Sequence, residues 1–267
     1  MLCKKFIFFI CFFQLFFQIL QGNHSQIVLI SIPKCGTHLS IKTISLLSDR
    51  ECISTSLHDK KEKLYYLTNL PANYFWKSHE KYQGYIADQL LKTKSKIIFI
   101  YRDPRDCIIS HIYWNEFGRY EYYPERILEH SPEFDMSTAI FSMIRGDTTY
   151  KNSHEINIAN FFKSYLPWSN VPGVLTIQFE DLVGPQGGGS AQKQYECIKK
   201  IATHLGCDTN DEMIAYVANN LFGDTKTFRK GKIGDWKNHF NPEHKQAFKE
   251  IAGQLLIDLG YEKDLNW

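Results

Sequence analysis

The sequence predicts an α/β fold of three layers, in which a mainly parallel central sheet is flanked by helices. Three observations point there. Apolar runs alternate with helix-period segments, the order expected of strand–helix–strand units around a parallel sheet. Three of the runs are continuous rather than alternating, as in strands covered on both faces. The chain has 267 residues, 43% of them hydrophobic and 22% charged, enough for one such domain with a sizeable core. The same composition excludes a disordered or collagen-like chain.

The elements follow in order. Ile27–Ile32 is a β-branched and Leu run, read as the buried central strand, and it ends at Pro33. A helix is expected from about Thr37 to Leu47. Tyr74–Lys77 is a short aromatic strand, and Lys96–Tyr101 (KIIFIY) is the second strong one. Pro104 opens a helix through about Trp114, since a proline is tolerated in a first turn. Val174–Phe179 is the third strong strand. Gly184–Ser190 (GPQGGGS) reads as a flexible turn, followed by a helix over about Ala191–Leu205. A last helix runs from Pro242 to about Leu259 and stops at Gly260. Residues 115–165 are aromatic and mixed in period and yield no clear element. No break in composition divides the chain, so residues 23–267 are taken as one domain.

Residues 1–22 stand apart as an apolar leader. Met1–Lys5 is basic, and Phe6–Leu20 is apolar except for Gln14 and Gln18. Fifteen helical residues span about 22 Å, short of a hydrocarbon core of about 30 Å. The pattern resembles a secretory signal peptide, with a membrane anchor as the next reading and possible membrane contact through residues 6–20. The seven cysteines pull the other way. Cys3 and Cys11 lie in the leader, which leaves Cys35, Cys52, Cys107, Cys197 and Cys207 for the domain. An odd count, no CxxC pair and no zinc-finger spacing suggest free thiols in a reducing compartment. The formal charge of +2 includes Lys4 and Lys5; the remainder is neutral. A nucleic-acid binder that neutralises many phosphates would carry a basic excess, so that class is disfavoured.

Three segments carry anion-binding groups. The first is Ser31-Ile-Pro-Lys-Cys-Gly-Thr-His38, a strand, a tight loop and a helix start. Free N–H groups and the helix dipole favour an anion there, Lys34 adds a charge, Thr37 adds a hydroxyl, and Gly36 allows close backbone approach. The arrangement is P-loop-like, a nucleotide-binding architecture, although neither the Walker A spacing nor the Rossmann glycine triplet is present. A Cys-x5-Arg phosphatase loop would need Arg at Ile41. Cys35, beside Lys34 at a helix start where a thiol pKa can fall, is read as a loop cysteine without a covalent role. The second segment is Tyr101-Arg-Asp-Pro-Arg-Asp-Cys-Ile-Ile-Ser110, with Arg102 at a strand end and Ser110 two helical turns on. A surface ion pair of Arg102 with Asp103 is the bland reading. The third is Phe228–Phe240, in which Arg229, Lys230 and Lys232 interleave with Gly231 and Gly234 in a loop able to wrap an anion.

Taken together, the three resemble the PAPS-dependent sulfotransferase family (PAPS, 3′-phosphoadenosine 5′-phosphosulfate), the cytosolic type in particular. Pro33-Lys-Cys-Gly-Thr37 is similar to the family's 5′-phosphosulfate loop. Arg102 followed eight positions later by Ser110 resembles its 3′-phosphate motif. Arg229-Lys-Gly-Lys-Ile-Gly-Asp-Trp-Lys-Asn238 is the most specific match, and Lys77-Ser-His79 resembles the Lys-Thr-His that carries the family's base. The resemblance implies sulfuryl transfer from PAPS to the hydroxyl or amine of a small-molecule or glycan acceptor, leaving 3′-phosphoadenosine 5′-phosphate (PAP). It implies His79 as general base, Lys34 as the cation facing the leaving oxygen, and Ser110 with Arg102 on the 3′-phosphate. Lys34, Cys35, Gly36, Thr37 and His38 would line the phosphosulfate, Arg229, Lys230 and Gly231 would close over the nucleotide, and no metal is called for. With Lys232, these cations are expected to converge on one nucleotide.

Departures from the family pattern qualify this. Cys35 and His38 replace Ser and Thr, Leu39 replaces an adenine-stacking Trp, and Phe179 replaces a Tyr that is common before Glu-Asp. Glu80-Lys81 replaces Leu-Pro after the base. The family's dimer motif is degraded at Asn241, Pro242 and Gln246, so a monomer or a different dimer is expected. The acceptor would be lined by the aromatics of 113–123 and 141–168, or those aromatics are core; Phe161 and Phe162 read as core. Two other classes fit part of the pattern: a catalytically inactive nucleotide-binding protein on the same scaffold, and a P-loop-like kinase.

Overall fold

The computed structural model describes residues 25–54, 70–118, 134–149, 156–223 and 228–267. The leader, and residues 119–123 and 150–155 of the aromatic stretches, lie outside the described residues.

Five strands form one sheet: β1 (Ile27–Ser31), β2 (Glu51–Ser54), β3 (Tyr74–Ser78), β4 (Lys96–Tyr101) and β5 (Val174–Gln178). Their order is β2-β3-β1-β4-β5 and every pairing is parallel. β1 is central, with Leu29 opposite Lys77 on one side and Ile98 on the other. The helices are α1 (Thr37–Ser48), α2 (Gly84–Lys92), α3 (Pro104–Tyr113), α4 (Met136–Arg145), α5 (Ile158–Lys163), α6 (Phe179–Leu182), α7 (Ala191–Leu205), α8 (Asp211–Asn220) and α9 (Pro242–Asp258).

The continuous apolar runs are explained by burial on two faces. Val28, Ile30, Trp76, Ile97 and Phe99 pack into one core with residues of α2, α3, α4, α5 and α9. Their strand neighbours Ile27, Leu29, Phe75, Ile98 and Ile100 pack into a second core with residues of α1, α7 and α8. Successive side chains point to opposite faces and both faces are covered, so the middle positions of β1 and β4 are apolar and their polar residues, Ser31 and Lys96, stand at the ends. This is the expected three-layer fold, with its sheet parallel throughout.

The differences from the sequence reading are local. β2, α2, α4, α5 and α8 had no assigned element. α3 ends at Tyr113 and continues as a wider π-helical turn over Trp114–Gly118. β5 stops at Gln178, where Phe179 opens α6. Gly184–Ser190 is not a loose turn but a docking surface. It contains a 3-10 turn at Pro185–Gly187, the Gly187 carbonyl accepts from Ile233 N at 2.9 Å, and the Gln186 carbonyl accepts from Lys232 Nζ. Asn241 and Pro242 serve as a helix start, with the Asn241 side chain accepting from His244 N at 2.7 Å and Pro242 in the first turn. Phe161, Phe162, Tyr165 and Trp168 are buried in the first core, so the described part of 141–168 is largely core rather than pocket lining.

All five described cysteines are free thiols. Among the described residues no helix is long and apolar enough to cross a membrane.

Candidate active site

A parallel sheet brings the carboxyl ends of its strands to one edge. The chain leaves β1 for β2 and β3 on one side and crosses back to β4 and β5 on the other. The crevice beyond β1 and β4 is therefore the place where such sheets hold ligands. Ser31, His79, Arg102 and Phe179 lie at or just past the ends of β1, β3, β4 and β5.

The loop after β1 is built tightly. Gly36 precedes α1 in the left-handed region (φ 99), and a Cβ there would stand 2.7 Å from Phe179 Cδ2 and 3.2 Å from Ile100 Cδ1. The glycine is thus required by the backbone and by the close approach of protein side chains, a reason the sequence reading had placed on the ligand. Lys34 is itself left-handed (φ 66), an uncommon conformation for a residue with a side chain. Its Nζ lies 4.3 Å from the centroid of the Trp114 ring. Burial, with Arg102 and Arg229 nearby, lowers the Lys34 ammonium to about 8. Thr37 is buried, and its hydroxyl is 2.6 Å from Ser31 Oγ. Because Ser31 donates to the Ile32 carbonyl at 2.9 Å, the proton between the two hydroxyls comes from Thr37.

Cys35 points inward. It is fully buried, and burial, with Cys107 nearby, raises its thiol well above the ordinary value. That overturns the option of a reactive, low-pKa thiol and leaves Cys35 only a backbone role in the loop. His38 is the exposed member of the α1 start; partial desolvation of its ring against the loop, with Lys77 and Lys34 nearby, lowers its pKa.

His79 follows β3 and turns back toward β1. Its Nδ1 lies 2.8 Å from the Ser31 carbonyl oxygen, which can only accept. Nδ1 therefore carries the proton, and the neutral ring keeps its lone pair on Nε2. Burial pushes the His79 pKa down to about 4, with Lys77, His38 and Lys34 adding repulsion. Desolvation thus keeps the ring unprotonated well below neutrality.

Arg102 stands at the end of β4 and is 8% exposed. It does not pair with Asp103. Its Nη2 donates to Asp106 Oδ2 at 3.2 Å and to the Lys232 carbonyl, and its guanidinium lies 4.2 Å from the Phe179 ring centroid. Among the described residues its Nε is buried without a hydrogen-bond partner. Asp103 instead caps α3 and pairs with Arg105, whose Nη2 is 2.7 Å from Asp103 Oδ2. Glu180 ties the end of β5 to this corner, accepting from Asp103 N and from Tyr261 Oη, each at 2.9 Å, and burial pushes its carboxyl up to about 7. Ser110 is half-buried in the last turn of α3.

The basic loop folds over α3. Arg229 lies 4.1 Å from the Tyr113 ring centroid. Arg229 Nη2 and Lys230 Nζ both donate to the Asp235 carboxylate, at 2.6 and 2.9 Å. These cations hold Asp235 well below the usual carboxylate range, against the opposing pull of burial. Lys232 does not turn its ammonium to the crevice; that group reaches the Gln186 carbonyl, and its own carbonyl takes Arg102. Gly231 (φ 58) sits where a Cβ would be 2.7 Å from Phe228 Cε2 and 3.2 Å from Phe222 Cε2. Leu39, Phe179, Val183, Leu221, Phe222 and Phe228 line an apolar pocket beside these cations.

The structure thus gathers Lys34, Arg102 and Arg229 within electrostatic reach of one another, with His79 on the Lys34 side. This set suits a ligand with two anionic ends and a flat apolar body. Leu39 and Phe179, the two departures near the expected base site, are both in the pocket wall. Sequence reasoning had assigned no role to Ser31, Asp106, Glu180 or Asp235. Trp114 fell within the aromatics expected to line the acceptor; Asp106 and Glu180 are recognisable through partners distant in sequence, whereas Asp235 pairs with Arg229 and Lys230 of its own loop. Among the described residues no group of three or more His, Cys, Asp or Glu could hold a metal ion.

Comparison with known proteins adds to this geometry. The family model described as a sulfotransferase domain matches residues 24–260. Human Sulfotransferase 6B1 is 25% identical over 277 residues, covering 91% of this chain and 82% of its own. Rat Sulfotransferase 2A1 is 24% identical over 272 residues, covering 86% of this chain and 84% of its own. The crystal structure of a mouse sulfotransferase complexed with PAP superposes with a TM-score of 0.62 at 24% identity, covering 89% of this chain and 86% of that one.

Proposed function

Because the chain belongs to the PAPS-dependent sulfotransferase family and is an enzyme of that class, we propose that it transfers a sulfuryl group to a small-molecule hydroxyl with His79 as general base. One observation carries the reading: the Ser31 carbonyl holds the proton of His79 on Nδ1 and so leaves Nε2 as a base at the strand edge shared with Lys34 and Arg102. PAPS, when bound, supplies the sulfuryl group, whose bond to the 5′-phosphate oxygen breaks as a bond to the acceptor oxygen forms.

The chain's own residues account for the rest. His79 Nε2 takes the acceptor proton, and its low pKa keeps it unprotonated and ready to do so. Lys34 faces the oxygen that leaves with the 5′-phosphate, and its half-buried charge acts where water screens it little. The amides at the start of α1, with Cys35, Gly36, Thr37 and His38, hold the 5′ end. Arg102, Ser110, Arg229, Lys230 and Gly231 hold the 3′-phosphate, and the apolar pocket at Leu39 and Phe179 takes the base. Trp114, already over Lys34, forms the near wall of the acceptor site. An aromatic wall suits the flat face of a phenol, a sterol or a sugar.

The test is calorimetry with PAP, followed by transfer from labelled PAPS to phenol, sterol and sugar acceptors. Micromolar binding with acceptor-dependent transfer is expected. Binding without transfer to any acceptor would overturn the catalytic reading, and absence of binding would overturn both.

A further inference from the structure

Resting on the reading that Arg102 and the 229–234 loop hold a 3′-phosphate, we propose that Asp106 is a positioning residue that sets both against that group. Three donors from two distant parts of the chain, Arg102 and the 234–236 loop, converge on its carboxylate. Arg102 Nη2 donates to Oδ2 at 3.2 Å, Gly234 N donates to the same oxygen at 2.8 Å, and Trp236 N donates to Oδ1 at 2.9 Å. The side chain is 0% exposed. Its amide partners lie 128 and 130 residues away in sequence. One carboxylate therefore joins the arginine at the end of β4 to the loop that closes from the C-terminal side.

The arrangement gives Arg102 a defined plane. Phe179 supports one face of the guanidinium, and Asp106 with the Lys232 carbonyl fixes Nη2. Nε is buried with no partner among the described residues, so the protein does not use up the donors of the fork. The loop is placed by the same group. Gly234 is left-handed (φ 76) and precedes the short 3-10 turn Asp235–Asn238, and the Asp106 carboxylate receives the N–H groups of Gly234 and Trp236 on either side of Asp235. Asp235 in turn holds Arg229 and Lys230. Asp106 thus lies beneath two of the three cations assigned to the 3′ side and next to the third.

Chemistry selects a carboxylate here. All three partners donate and none accepts. An amide of the same shape would turn an NH2 group toward either the Trp236 N–H or the Arg102 and Gly234 N–H groups, and one anchor would be lost. Two effects of removing the charge oppose each other. A lost anion raises the local positive potential, which favours a bound dianion. A freed arginine and loop raise the ordering cost of binding. Arg102 is 8% exposed and already short of acceptors, so the second effect is taken to dominate.

The experiment uses the full chain with Asp106→Asn, Asp106→Glu and Arg102→Met, singly and with Asp106→Asn combined with Arg102→Met. Kd for PAP, KM for PAPS, kcat and melting temperature are measured for each. Asp106→Asn should weaken PAP binding and raise KM by about 10- to 100-fold, the range of a hydrogen bond to a charged group, with kcat within about threefold. Asp106→Glu, which restores the charge but not the geometry, should remain impaired. In the Arg102→Met background most of the Asp106→Asn effect should vanish. Unchanged or tighter PAP binding by Asp106→Asn would overturn the proposal, as would full additivity with Arg102→Met, or a loss confined to kcat and melting temperature. If Asp106→Asn does not fold, amide exchange of the wild-type chain decides: PAP should slow exchange at Gly234 and Trp236, and no slowing overturns the proposal. A wild-type chain that fails to bind PAP sinks the functional reading and this proposal together. Wild-type binding with an unaffected Asp106→Asn sinks this proposal alone.

Discussion

The loop after β1 and the basic loop at residues 228–238 offer cations to the same edge of the sheet, yet hold them by opposite means. The first, together with His79 that follows β3 and packs against it, works by desolvation. Burial lowers Lys34 to about 8 and His79 to about 4, and their neighbours are a ring and a main-chain carbonyl. The second is half open and works by pairing. Arg229 and Lys230 side chains are 31% and 48% exposed, and both are bound to Asp235. Desolvation tunes a proton, which suits groups that take part in chemistry. Pairing keeps charge and fixes geometry, which suits groups that bind and release a phosphate.

The comparison can be broken most directly at His79. His79→Ala should lower kcat by about 10²- to 10⁴-fold, the usual contribution of a positioned base, with PAP affinity unchanged. Retained turnover with intact PAP binding would remove His79 as base. Next comes Lys34→Met, which keeps length and loses charge. It should lower kcat/KM by about 10²- to 10³-fold, in the range of one lost electrostatic stabiliser. Wild-type donor affinity should also fall as pH rises through about 8, where the free chain's ammonium loses its proton, and Lys34→Met should lack that limb.

A pH profile sharpens the contrast without mutation. A base must be unprotonated, and burial holds His79 near 4, below the 6.5 of an ordinary histidine. Activity should therefore persist as pH falls through 6.5 and decline only toward about 4. An acid limb at 6.5 would mean that His79 is not desolvated in the working enzyme. The smallest effect is expected at the paired end. Asp235 is held below its unfolded value, so its stabilisation is present above the ordinary aspartate range and lost as pH falls through the depressed value. Asp235→Asn should flatten that acid-side drop in melting temperature while leaving kcat within about threefold. A drop as steep as in the wild-type chain would show that the pairing does not stabilise the loop.

The strands were legible because their signal is local. A strand interior buried on both faces is apolar at successive positions, as Ile27–Ile30 and Ile97–Ile100 are, with Ser31, Lys96 and Tyr101 at the strand ends. β2 was missed because Glu51-Cys-Ile-Ser54 is short, polar and at the sheet edge. The loop after β1 was legible as a strand–loop–helix, but the requirement for Gly36 lies in Phe179 and Ile100, far along the chain. Gly184–Ser190 was misread for the same reason: three consecutive glycines suggest freedom until the loop that docks on them is in place.

Sequence alone therefore determined the fold class, the sheet edge that carries the candidate site, and which charged side chains stand at that edge, since these depend on runs of neighbouring residues and on motifs a few positions long. Tertiary structure decided which cation meets which carboxylate, which histidine nitrogen holds the proton, and which groups are stripped of water. Those properties depend on distance and dielectric through space. Asp106 and Trp236 lie 130 residues apart in the chain and 2.9 Å apart in the fold.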